Sequence, residues 1–219
     1  VTSPARRRRP APRKPRKIET IVRNPGLIAE RHEQIFRAAT RIFVAKGYHG
    51  ASVREIAEAA GLSLGGLYTY VKTKEDILYL VFNRISTILR ESVRLAVAGI
   101  EDPADRVTAA LHATVKTAEQ YQDEILLMYQ ETKSLDRKSM HTVLGEEAGY
   151  VGFFQDLLQD GYDRGLFTGD PRLSADIVAY LCAIVVLRRW NLRRRFSPDA
   201  VRTGVVEFIL RGLGGRRET

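Results

Sequence analysis

Residues 52–72 (SVREIAEAAGLSLGGLYTYVK) constrain this chain more than any other segment. Ser52-Val53-Arg54-Glu55 has the form of a capping box, with a serine side chain for the third backbone N–H and a glutamate reaching back. Val53, Ile56, Ala57 and Ala60 fall on one face of a short amphipathic helix that stops at Gly61. A second short helix is expected from about Ser63 to Val71. Ala57 lies four residues before Gly61, and Leu67 six after it. A small residue suits the crossing point of two helices, glycine suits the tight turn, and a leucine locks the second helix onto the first. This is helix-turn-helix spacing, in which the second helix enters the DNA major groove. The spacing alone fits two core helices on a glycine turn equally well.

The rest of the chain narrows the class to all-α. Ile35, Phe36, Ala39, Ile42 and Phe43 share one helical face, and Gly47 and Gly50 end that helix. Thr73 can cap a long helix from Lys74 to about Val97. Asp102-Pro103 and Ser197-Pro198 each read as an N-cap followed by a first-turn proline. Further helices are expected at 105–121, 123–134, 140–164, 171–192 and 198–211, with no strand pattern and no internal repeat. The expected organisation is an arm over 1–25, a three-helix DNA-binding domain over 26–73, and a helical regulatory and dimerisation domain over 74–219.

Charge separates the arm from the body. Residues 1–23 hold nine cations and one anion, while the remaining 196 residues hold 26 cations and 25 anions. Five of the eight prolines fall in residues 1–25, where few apolar residues exist to offset ordering entropy, so the arm is predicted to be disordered. Three roles suit it: a solubilising segment, an arm that tracks DNA phosphates or the minor groove, or a contact with anionic lipid. It resembles the basic start of an export signal, but no apolar segment follows. The longest apolar run, Ile177 to Leu187, has 11 residues, against about 20 for a membrane span. The single Cys182 excludes an internal disulfide framework and fits a reducing, cytoplasmic setting. Four scattered histidines lack metal-ligand spacing, and no nucleophile–base arrangement, phosphate loop or cofactor motif is present, which argues against an enzyme.

The segment from Arg31 to Leu80 resembles the TetR family of bacterial transcriptional regulators. The resemblance rests on Gly47-Tyr48, on Ser52-Val53-Arg54-Glu55-Ile56-Ala57, and on the run from Gly61 to Lys74 (GLSLGGLYTYVKTK). Two departures stand out: Val71 replaces an aromatic residue, and Gly66 replaces a residue that is often threonine. The resemblance implies a homodimeric regulator whose two recognition helices enter successive major grooves about 34–36 Å apart on double-stranded operator DNA. The implied DNA-binding residues are Ser52, Arg54, Ser63, Leu64, Gly65, Gly66, Tyr68, Thr69, Tyr70 and Lys74. No Arg or Lys lies between Ser63 and Val71, which excludes a bidentate arginine–guanine contact from this helix. Leu64 could instead pack on a thymine methyl. Two adjacent helical glycines cost about 1 kcal/mol each relative to alanine, which makes sense where backbone must approach DNA closely.

The C-terminal half carries a narrower likeness. Tyr129-Gln130-Glu131, the run Gly161 to Phe167, and Arg188-Arg189-Trp190 are similar in order to the acyl-CoA-responsive regulators of fatty-acid and sterol catabolism. That likeness implies a small-molecule effector, an acyl-CoA, rather than a bound cofactor. Leu126, Tyr129, Tyr150, Phe153, Phe154, Leu157, Tyr180 and Ile184 would line an apolar cavity. Arg188, Arg189 and the arginines to Arg195 would meet the phosphates, with Trp190 stacking on adenine. The same cations would also complement a helix C-terminus, and the aromatic stripe would equally serve as core. A multidrug or aromatic effector without CoA, and a non-specific architectural DNA-binding protein, are the alternatives.

Overall fold

The computed structural model describes residues 18–214, so the expected disorder of residues 1–17 lies outside the described residues. Among the described residues ten α-helices follow in order: α1 (Pro25–Gly50), α2 (Val53–Ala59), α3 (Leu64–Tyr68), α4 (Lys74–Ala96), α5 (Pro103–Gln120), α6 (Gln122–Glu131), α7 (Arg137–Asp163), α8 (Pro171–Leu187), α9 (Arg189–Arg193) and α10 (Pro198–Gly212). A 3-10 turn, Thr132–Ser134, joins α6 to α7. No strand occurs among the described residues.

The capping signals act as their chemistry requires. Side chains of Asn24, Ser52, Ser63, Thr73, Asp102, Asp136, Asp170 and Ser197 each accept from first-turn N–H groups of the helix they precede. At Ser52 the capping box closes in both directions, with Ser52 N donating to Glu55 Oε2 at 2.9 Å and Glu55 N to Ser52 Oγ at 3.2 Å. Lys46 and Ser52 together hold the Glu55 carboxyl down at about 2.

Two helices end in the same glycine device. After α2, Gly61 (φ 69°) lets its N–H reach Glu58 O at 3.0 Å and that of Leu62 reach Ala57 O at 2.9 Å. After α7, Gly165 (φ 72°) does the same, with Gly165 N to Tyr162 O at 3.0 Å and Leu166 N to Gly161 O at 2.9 Å. Both are Schellman stops, in which a left-handed residue satisfies the last carbonyls. The run from Gly161 to Phe167 is therefore a corner: the chain reverses, and the buried Phe167 ring folds back over Gly161, where a Cβ would lie 2.2 Å from Cε2.

One stretch differs from the sequence expectation. The expected helix over 171–192 is two helices, broken at Arg188 (φ −116°, ψ 16°). Arg189 ion-pairs with Asp123 and Arg193 donates to Gln122 at 2.9 Å, so α9 turns aside to grip the α5–α6 junction. Periodicity has no means of showing a bend imposed by partners 66 and 71 residues away.

A second difference concerns the arm. The expected disorder of 1–25 does not extend to residues 18–24, which lie against the helix-turn-helix. Ile18 and Val22 pack on the core, Thr20 Oγ1 donates to Thr69 O at 2.7 Å, and Ile21 N donates to the same carbonyl at 3.2 Å.

Helix α4 joins the two halves. It packs on α1, α5 and α7, and Ile77, Leu78 and Val81 near its start are fully buried. The core runs without interruption from Ile35 in α1 to Ile209 in α10.

Candidate DNA interface and effector cavity

The helix-turn-helix is built from α1 to α3. Leu67 and Ala57 are buried where α3 crosses α2, and Val71, at the aromatic position, is fully buried. That burial leaves one face of α3 outward. Ser63, Gly65 and Tyr68 are exposed, and Leu64, Gly66 and Thr69 are half-buried. A Cβ on Gly65 would meet nothing within 4 Å. No neighbour inside the protein therefore requires a glycine there. A Cβ on Gly66 would lie 3.0 Å from Ser63 Oγ, so that glycine keeps the cap clear.

Several of the expected DNA-binding hydroxyls already hold the fold. Ser63 Oγ accepts from Gly66 N at 3.0 Å, Thr69 Oγ1 donates to Gly66 O at 2.7 Å, and Ser52 Oγ donates to Glu55 Oε2 at 2.8 Å. Tyr68 is 45% exposed, whereas Tyr70 is only 8% exposed and its carbonyl pairs with His32 Nε2 at 3.1 Å. Arg54 is exposed at the start of α2. Lys74 lies 4.6 Å over the Tyr48 ring and donates to His49 O at 3.4 Å, which ties the start of α4 to the end of α1.

The second site is a cavity of about 130 Å³ in the C-terminal half. Helices α4 to α8 and the 3-10 turn line it, with Leu89, Ile125, Met128, Val143, Cys182 and Ala183 as apolar wall. Ser86, Thr114, Tyr129, Thr132, Glu147 and Tyr150 add polar groups, and no Lys, Arg or His lines it. Partial burial of its carboxyl, and then the charge of Asp176, push Glu147 upward, although the residue as a whole is exposed. Burial also raises Tyr150, whose hydroxyl donates to Thr114 Oγ1 at 3.3 Å, and sets the Cys182 thiol at about 12. A site with one carboxyl and no cation in its lining suits neutral or cationic groups better than a free carboxylate.

Of the residues expected to line a cavity, Tyr129 and Tyr150 do so. Leu126, Phe153, Phe154, Leu157, Tyr180 and Ile184 stand elsewhere. Phe154 and Leu157 are core, and Tyr180 is 63% exposed on the outer face of α8. Arg188, Arg189 and Trp190 also lie off the cavity wall. Arg188 is exposed at the α8 break, and Arg189 is held between Asp123 and the Trp190 ring, 4.8 Å from its centroid. Sequence reasoning missed the wall supplied by α4 and α5. The usable signal was small or polar residues at helical spacing, Thr114 with Ala118 and Ala179 with Cys182 and Ala183.

The two sites meet through α6. Ile125, Met128 and Tyr129 of that helix line the cavity, and its far end touches the DNA-binding domain. There His49 Nε2 lies 3.8 Å from Glu131 Oε2 and 3.3 Å from Ser134 Oγ.

Residues 35–79 match the family profile described as "Bacterial regulatory proteins, tetR family", and residues 101–213 match "Tetracyclin repressor-like, C-terminal domain". The chain belongs to the TetR family of bacterial transcriptional regulators. It is accordingly a DNA-binding regulator and not an enzyme. It is 31% identical over 118 residues to the transcriptional regulator HbdR of Aromatoleum sp. (strain CIB), covering 54% of this chain and 52%, about half, of that protein. It is 29% identical over 187 residues to the transcriptional activator FasR of Mycolicibacterium smegmatis, covering 84% of this chain and 83% of that one. The repressor KstR2 of the same organism is 26% identical over 163 residues, with 70% and 75% covered. Three solved structures share the fold. A tetR-family regulator from Rhodococcus RHA1 superposes with TM-score 0.77 at 23% identity, covering 86% of this chain and 99% of its own. AibR in complex with isovaleryl coenzyme A and operator DNA gives 0.70 at 23%, covering 81% and 97%. FadR of Bacillus subtilis in complex with stearoyl-CoA gives 0.71 at 20%, covering 83% and 98%. No helix among the described residues is long and apolar enough to cross a membrane.

Proposed function

We propose that this regulator is a homodimeric repressor, released from its operator when a CoA thioester with a compact acyl group enters the cavity. The observation that carries the reading is the shared helix: α6 lines the cavity and, at Glu131, abuts His49 at the end of α1. An occupant that shifts α6 therefore shifts the frame holding α3. The CoA complexes of AibR and FadR support a thioester as the effector class. So does the lining chemistry, because a thioester carbonyl is neutral where a free acid would face Glu147. The volume favours a branched or single-ring acyl group, since a cavity of about 150 Å³ holds one benzene ring. The dimer reading rests on α8, where Leu173, Ile177 and Tyr180 are exposed at helical spacing, and on α10, which packs on α8 and exposes Phe208. Repression is the sign borne by KstR2, and FasR carries the opposite one.

Gel-shift titration on the operator tests this. A short or single-ring acyl-CoA is expected to weaken operator binding by about 5–150-fold, the usual range of such coupling. Free CoA and the matching free acid should leave it unchanged. No response to any thioester overturns the CoA assignment, and tighter binding overturns the repressor sign. A second reading has one observation in its favour: Glu147 between Tyr129 and Tyr150, with no cation nearby, also suits an aromatic or cationic effector without CoA.

A further inference from the structure

The helix-turn-helix is poor in available positive charge. Residues 25–73 hold six cations and four anions. Most of those cations have partners in the fold: Arg37 with Glu33, Lys46 with Glu55, Lys72 with Glu19, and Arg41 with the Ala59 carbonyl. The recognition helix itself has no cation. Yet duplex DNA carries one phosphate charge per about 1.7 Å of axis, and neutralising it dominates affinity.

The fold brings further cations to this surface from the regulatory domain. Residues 132–142, the corner between α6 and α7, hold Lys133, Arg137 and Lys138 against one anion, Asp136. All three cations are exposed, and among the described residues none of them makes an ion pair. Asp136 is occupied as the N-cap of α7, accepting from Lys138 N at 2.9 Å and Ser139 N at 3.0 Å. Two contacts fix the corner beside the start of α4, the helix that follows the recognition helix. On one side Lys74 donates to His49 O at 3.4 Å, and His49 Nε2 lies 3.3 Å from Ser134 Oγ, next to Lys133. On the other, Glu19 pairs with Lys72, and the Lys72 hydrogen bond and then the charge of Lys138 hold the Glu19 carboxyl below its ordinary value. The other carboxylates here are engaged as well. Asp76 accepts from Lys72 N and Thr73 N, both at 3.0 Å, and Glu131 accepts from Ser134 Oγ at 2.7 Å.

We infer that the α6–α7 corner is a second DNA-contacting surface, in which Lys133, Arg137 and Lys138 bind the phosphate backbone beside the start of α4. The partner is duplex DNA because the patch runs on from the helix-turn-helix. Lys133 and Lys138 flank the N-terminus of α4, a 23-residue helix whose positive end itself attracts phosphate. Phosphate contacts carry no base information, so the corner adds affinity and register while α3 reads sequence. The inference rests on the DNA binding that family membership establishes, and it is independent of the effector reading.

The experiment measures DNA affinity of the full chain by fluorescence anisotropy across a KCl titration, without effector. The test variant carries Lys133→Gln, Arg137→Gln and Lys138→Gln. A control removes the same charge at the opposite end of α6, where α9 grips Gln122 and Asp123, with Arg188→Gln, Arg194→Gln and Arg195→Gln, all exposed. A rescue keeps the charge, with Lys133→Arg, Arg137→Lys and Lys138→Arg. Each phosphate contact contributes about 0.9 to the slope of log K against log[salt]. The test variant should lower that slope by about 2 or more and weaken binding to operator and to random-sequence duplex by the same factor. The control and the rescue should keep the wild-type slope. An unchanged slope in the test variant overturns the inference. So does an equal fall in the control, because net charge and not position would then explain it. A loss confined to the operator overturns it as well, because the corner would then act on base recognition and not on phosphates.

Discussion

Gly161→Ala is the sharpest test of the corner after α7. The substitution adds one methyl group, and its Cβ would lie 2.2 Å from Phe167 Cε2 and 2.4 Å from Cδ2. Ordinary carbon contacts sit near 3.5–4.0 Å, so the ring must move by more than about 1 Å. Phe167 is 4% exposed, and Leu166 N bonds Gly161 O at 2.9 Å, so neither the ring nor the backbone gives way cheaply. Overpacking of this kind costs about 1–3 kcal/mol. Alanine regains part of the roughly 1 kcal/mol helix-propensity advantage over glycine, less than all of it so near the helix end. The expected net loss is about 1.5 kcal/mol. For a chain of this length that lowers Tm by about 3–6 °C in thermal unfolding at matched protein concentration. Gly149, on the same helix, would have nothing within 4 Å of an added Cβ, so Gly149→Ala should raise Tm by about 2 °C or more. A double-mutant cycle isolates the contact: against Phe167→Ala, the Gly161→Ala cost should vanish. A Gly161→Ala protein as stable as wild type, or a cost that persists without the ring, would refute the reasoning.

Three further outcomes follow from the geometry. Ala183→Leu, which fills the cavity between α8 and Tyr150, should abolish effector release in gel shifts while operator affinity without effector stays within about twofold. Leu173→Lys with Ile177→Lys, which puts charge on the exposed stripe of α8, should shift the species seen by analytical ultracentrifugation from dimer to monomer. Cys182 is buried with its thiol at about 12 against an ordinary 9.0, so it should resist Ellman's reagent at mildly alkaline pH until the protein is unfolded. Above pH 9.0 the unfolded thiol loses its proton and the folded one keeps it, so this group's contribution to stability falls as pH rises from 9.0 toward 12.

The parts of this protein that the sequence determined are local. Ser52, Ser63, Thr73, Asp102 and Ser197 start helices because a side-chain oxygen beside the first turn satisfies its N–H groups, and that geometry needs nothing distant. Gly61 stops α2 because only a residue at ease near φ 69° closes both carbonyl bonds. The Ala57, Gly61 and Leu67 spacing sets two short helices across a tight turn, and the longer run from Gly61 to Lys74 is what marks the second as a recognition helix. The parts that tertiary structure decided depend on partners far along the chain. Phe154 and Leu157 suit a cavity lining by residue type, but packing buries them as core and leaves the space beside Ala179, Cys182 and Ala183. Arg189 is available for a phosphate only until Asp123, 66 residues away, is brought against it. Glu19 to Val22 read as part of a basic tail until Thr69 and Lys72 are placed beside them. A helix end is settled by its own few residues, whereas a cavity, an ion pair or an anchored arm exists only once separate helices have packed.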